Sequence, residues 1–177
     1  MRNDLKFGLI GGGVSIAWTL LMWVLGLHQG DLTLGINLSY IALAFPIVIV
    51  YFAIRETRNK ELEGFISYGK AFSVGAITGI ISTVVSTLFS YIYTTVLNPA
   101  YELAMKDYQV AKSIEAMQKR NMTEEQINQA LQQMNNTSLV VWQYVGAIIS
   151  GILMYLLISL IIAAILQKKK IEEIKQV

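Results

Sequence analysis

Four stretches of this 177-residue chain carry no formal charge: Phe7 to Leu27, Leu32 to Ile54, Ala71 to Leu97 and Leu139 to Leu166. They are 21, 23, 27 and 28 residues long. A helix needs about 20 apolar residues to cross a hydrocarbon core of about 30 Å, so each stretch is long enough. A soluble chain of this size cannot surround four helices that are apolar on every face. The sequence therefore predicts an all-α integral membrane four-helix bundle.

What lies between the spans narrows the function. Only 15% of the residues are charged and the net charge is +2, which excludes a polyelectrolyte partner such as nucleic acid. With no cysteine there is no disulfide, no thiolate nucleophile and no sulfur-ligated metal. His28 is the single histidine. It and Asp31 could hold a cation only with ligands from elsewhere. We expect no cofactor and no metal, and no enzyme activity, because no nucleophile–base pair or paired carboxylates are visible.

Arg2 and Lys6 precede the first run, as in a signal peptide, but its length and the lack of a small-x-small cleavage pattern predict a retained span. Lys and Arg then set the orientation. They crowd the amino end, the loop 55–70 (Arg55, Arg58, Lys60, Lys70) and the tail (Lys168, Lys169, Lys170, Lys175). The first connection has none, and Lys106, Lys112, Lys119 and Arg120 are spread among acids and amides in the third. Both termini are thus expected in the cytoplasm, with three parts to the chain: 1–97, 98–138 outside the cytoplasm, and 139–177. Trp23, Tyr91, Tyr93, Trp142 and Tyr144 are expected in the outer aromatic belt, and Tyr51, Phe52 and Phe72 in the inner one.

The segment 98–138 is too long for a plain loop. Asn98-Pro99 reads as an N-cap with proline at the first helical position. Leu103, Val110, Ile114 and Met117 recur at heptad-like spacing beside Tyr101, Met105 and Tyr108. Thr123 and Gln126 form a capping box, and Ile127, Ala130, Leu131 and Met134 make one apolar face. A helical hairpin follows, with its turn near Arg120-Asn121. Tyr108, Ile114, Met117, Ile127, Leu131 and Met134 are its candidate partner face, either packed on each other alone or also against a subunit or partner.

No ionisable side chain lies within a span, which removes the usual chemistry of proton-coupled transport. Span three is instead rich in hydroxyls. Thr78, Ser82, Ser86, Ser90 and Thr94 step by four, and Gly75 and Gly79 form a GxxxG on an adjoining row. Two uses are open: close helix packing, or a polar groove for a lipid headgroup or small solute. Gly8 with Gly12, and Gly146 with Ser150, offer matching small surfaces.

Ser67-Tyr68-Gly69-Lys70-Ala71-Phe72, Asn98-Pro99-Ala100-Tyr101 and Met122-Thr123-Glu124-Glu125-Gln126-Ile127 occur in order along this layout. In all three the chain resembles the bacterial membrane-protein family defined by domain of unknown function 4199. The resemblance covers nearly the whole chain and implies an inner-membrane protein with a periplasmic hairpin. It brings no activity and no functional residue. Two functions are expected from the residues: an oligomeric scaffold or accessory subunit, with a dimer as the expected form, contacting lipid and a membrane or periplasmic protein; or a small transporter or lipid-handling protein using span three.

Overall fold

The computed structural model describes residues 2–28, 32–136 and 139–168, with side chains left out for 133–136 and 139–143. Asp31 and the tail lysines beyond Lys168 thus lie outside the described residues, as do the side chains of Met134 and Trp142. In chain order the α-helices are α1 (Asn3–Val24), α2 (Leu32–Ser39), α3 (Ala44–Glu56), α4 (Tyr68–Ile92), α5 (Pro99–Lys119), α6 (Glu124–Asn136) and α7 (Leu139–Leu166). Among the described residues, four stretches are long and apolar enough to cross a membrane: Asn3–Val24, Leu32–Glu61, Tyr68–Leu97 and Tyr144–Leu166. The protein is all-α, as the apolar runs predict.

Local chemistry sets the helix ends. Asp4 sits in the first turn of α1, where a carboxylate is favoured by the helix dipole, and accepts the Leu5 amide at 2.8 Å. At the other end Gly26 takes φ +75°, so that Gly26 N bonds Trp23 O and Leu27 N bonds Met22 O. The helix therefore stops at Val24, three residues before the apolar run does. Asn121, at φ +56°, closes α5 in the same way, with Met122 N on Met117 O and Asn121 N on Gln118 O. The capping box before α6 forms in both directions: Gln126 N donates to Thr123 Oγ1 at 3.3 Å and Thr123 N to Gln126 Oε1 at 3.0 Å.

The second span is broken where the sequence reads as one run. A 3₁₀ turn, Tyr40–Leu43, separates α2 from α3. Pro46 is the cause: it has no amide to give to Ala42, and its ring crowds that carbonyl. Two wider turns, Thr57–Glu61 and Tyr93–Leu97, end α3 and α4 with π-type bonding.

Helix α4 is the centre of the bundle, packed on α1, α3 and α7. Glycines make the close approaches. A Cβ on Gly8 would lie 2.6 Å from Ile81 Cβ, and one on Gly12 2.5 Å from Val85 Cγ1. On the α7 side, a Cβ on Gly75 would lie 2.5 Å from Ser159 Oγ, and one on Gly79 would overlap Tyr155. Gly151 of α7 returns the contact, facing Thr83. Val50, Ala53, Ile54, Ala71, Val74 and Ala163 fill the core between α3, α4 and α7. Large apolar side chains such as Leu88, Leu157, Ile161 and Ile165 point outward, which suits a lipid-facing surface.

The end of the bundle opposite α5 is tied by polar contacts. Glu56 takes both Lys6 at 3.0 Å and Lys60 at 2.9 Å. Arg58 Nη1 donates to Leu166 O at 3.1 Å, and Ile66 and Lys168 exchange two backbone hydrogen bonds of 2.9 Å. These join the loop after α3 to the last turn of α7.

Replacing Gly79 by Ala should cost about 1–3 kcal/mol by forcing α7 away from α4. Gly13, where a Cβ meets nothing within 4 Å, should tolerate alanine and gain about 0.5–1 kcal/mol. Unfolding of both variants in mixed micelles, followed by circular dichroism, checks the contrast.

Candidate functional site

The most concentrated polar chemistry inside the fold lies where the loop after α1 meets the end of α4 and the start of α5. Tyr93 is the hub. It opens the π turn at the end of α4, is 1% exposed, and is enclosed by aromatic rings. Trp23 meets it edge-on at 5.8 Å, Phe89 stacks below at 6.1 Å and Tyr101 approaches at 5.9 Å. His28, also buried, places Nδ1 2.6 Å from the Tyr93 hydroxyl and stacks its ring on Tyr101 at 4.0 Å. Asn98 Nδ2 donates to the same hydroxyl at 2.9 Å.

The hydrogens follow from this geometry. The phenol has one hydrogen to give, and Asn98 already donates to its oxygen. The phenol hydrogen is thus free for His28 Nδ1, a pairing that goes with the imidazole tautomer whose hydrogen is on Nε2. Burial pushes its pKa below the ordinary 6.5, and burial raises that of Tyr101 above 10.0.

This arrangement revises one expectation. Asn98 stands at the N-cap position of α5 but makes no capping bond with its side chain, which is turned to Tyr93. Its own amide bonds Tyr93 O at 2.7 Å, which fixes it there. Trp23 and Tyr93, both expected in the outer aromatic belt, pack on each other in this cluster. Nothing in the residue pattern joins His28 to Tyr93 across 65 positions. The available signal was the single histidine beside a glycine-capped helix end.

A sequence model of the family described as protein of unknown function (DUF4199) matches residues 6–168. The chain belongs to the DUF4199 family. No curated protein and no solved structure matches it.

In this DUF4199 protein the span-three residues divide by depth. Thr78 Oγ1 donates to Asp4 O at 3.2 Å and Ser82 Oγ to Gly8 O at 2.9 Å, so both hydroxyls bind the backbone of α1. Gly75 and Gly79 face α7. Ser86 bonds back to Thr83 O in its own helix. Thr94 bonds Ser90 O at 3.1 Å and shares a 2.6 Å contact with the Tyr144 hydroxyl. Gly8 and Gly12 pack on α4, whereas Gly146 meets nothing within 4 Å.

The α5–α6 residues are placed differently. Ile127 of α6 is buried, and Tyr108, Ile114, Met117 and Leu131 are half-buried. No residue of α5 is fully buried, and Leu103 on its stripe is 65% exposed. Glu115 bridges Lys112 at 2.9 Å and Lys119 at 2.8 Å, and these two ammonium groups hold its pKa down to about 2. Among the described residues no group of three or more His, Asp or Glu could hold a metal ion.

Tyr93→Phe leaves both His28 Nδ1 and Asn98 Nδ2 without their partner, and should cost about 1–3 kcal/mol. Amide exchange should quicken at 98–103 while the α1–α4 contact stays protected. Hydrogen–deuterium exchange on the variant in nanodiscs reads both.

Proposed function

We propose that this DUF4199 protein is a non-enzymatic, oligomeric scaffold or accessory subunit of the bacterial inner membrane. Both termini lie in the cytoplasm, and α5–α6 forms a periplasmic hairpin that contacts a partner, either a second copy or another membrane or periplasmic protein. The observation that carries this is α5 itself. It is 21 residues long and bears an apolar stripe, yet buries no residue fully. A helix of this kind is marginal in water without a packing surface, and α6 supplies only part of one. Methionines 105 and 117 on α5 suit an adaptable contact.

The spread of charge supports the orientation: Lys and Arg collect on the side of the 55–70 loop, while α5–α6 mixes both signs. The bonding of Thr78 and Ser82 to α1 supports helix packing over a solute groove as the use of span three. Their hydroxyls are already spent on carbonyls of the bundle.

A photoreactive residue placed at Ile114 or Leu131 should give a crosslinked species larger than the monomer in intact cells. The same residue at lipid-facing Leu157 serves as the control. Recovery of monomer alone from both test positions overturns the proposal. Native mass spectrometry in gentle detergent should separately report more than one copy per particle.

A further inference from the structure

We propose that His28, Tyr93, Asn98 and Tyr101 form a pH-sensitive latch, which fastens the start of α5 to the bundle while His28 is neutral and releases it when the ring gains a proton. The reading rests on how the four groups are connected, and stands whether or not α5–α6 meets a partner.

Two segments far apart in sequence meet at one hydroxyl. His28 comes from the loop after α1, Tyr93 from the π turn after α4, and Asn98 from the residue before α5. Tyr101, one turn into α5, covers the imidazole face. The start of α5 is therefore held by a hydrogen bond and a ring stack that both pass through this cluster.

Protonation strikes at the one nitrogen that the latch uses. Nδ1 and the Tyr93 hydroxyl lie 2.6 Å apart, and in the closed latch the neutral ring accepts there from the phenol. Once Nδ1 takes a proton from solvent, it and Asn98 Nδ2 both point hydrogens at the same oxygen. The phenol hydrogen then has no acceptor, and a cation stands in a site that is 6% exposed. Among the described residues, the titratable side chains that meet the ring are two phenols, Tyr93 from the α4 end and Tyr101 from α5. Among the described residues no carboxylate pairs with His28 to offset a charge. Free phenols change charge near pH 10, so of the groups in this cluster the imidazole is the one whose charge responds on the acid side of neutrality.

The sign is that of a base whose folded pKa is depressed. Above 6.5 the ring is neutral whether the latch is closed or open, and closure is at full strength. As pH falls below 6.5 the open form takes the proton more readily, so closure weakens until the closed form is itself protonated.

The chain has no cysteine, so two spin labels can be placed cleanly, at Gln109→Cys on α5 and Leu157→Cys on α7. Electron–electron distances in nanodiscs should show one narrow distribution at pH about 7.5, and a second, broader population at pH about 5. His28→Gln keeps an acceptor and cannot be protonated in this range, so its distribution should stay narrow at both. An unchanged distribution in the parent chain at both pH values overturns the latch, and so does a pH response that persists in His28→Gln. Nitrogen NMR of the sole histidine in the unsubstituted chain is independent of that variant. It should find hydrogen on Nε2 at neutral pH and a ring titration that coincides with the distance change. Hydrogen on Nδ1, or a distance change while the ring stays neutral, likewise overturns it.

Discussion

Backbone-to-backbone proximity at α4 is the constraint on which the bundle depends. In hydrocarbon, apolar side chains gain little by leaving lipid for protein, so helices associate through close packing and polar contacts. Gly8, Gly11 and Gly12 let α1 lie so near α4 that a single methyl group would collide with Ile81, Ser82 or Val85. That nearness brings the carbonyls of Asp4 and Gly8 within reach of Thr78 and Ser82. Small residues and hydroxyls are one device here: the first opens the approach and the second bonds across it. On an adjoining face of α4, Gly75 and Gly79 admit Ser159 and Tyr155 of α7, and Ser159 turns its hydroxyl back to Tyr155 O at 2.7 Å.

The two ends of the bundle are finished in contrasting ways. One uses charge: the Lys6–Glu56–Lys60 group and the Arg58 bond to Leu166 O, where headgroups and water can share the load. The other uses rings and neutral hydrogen bonds around Tyr93, where burial makes an unpaired donor costly. A charged tie tolerates rearrangement because water can replace either partner. A buried neutral tie does not, and so fixes the path of the chain more sharply.

Much of the architecture was legible in residues alone. The fourth apolar run and α7 share the bounds Leu139 and Leu166, and Thr123 with Gln126 marked the start of α6. Such features depend on neighbours in sequence, or on length against bilayer thickness. Pro46 was visible, but its effect within an otherwise continuous run was not expected. The residue types of the span-three row were plain, yet which helix each hydroxyl would meet depends on how α1 and α7 rotate about α4. The cluster at Tyr93 was the least legible, because it joins two segments some 65 positions apart and draws on Asn98, whose local pattern suggested a helix cap instead.

The π turn at Tyr93–Leu97 has an effect on everything that follows it. Each residue advances an α-helix by about 100°, so accommodating one extra residue resets the angular phase of the chain beyond the turn. Tyr93 and Asn98 lie five positions apart and still face each other, because the wider turn returns position five to the direction that position four would hold. In geometric terms the segment behaves like one extra residue inserted into the α-helical repeat. Losing any single residue between Tyr93 and Asn98 would swing the later helices round the axis of α4, leaving their internal structure untouched while aiming them elsewhere.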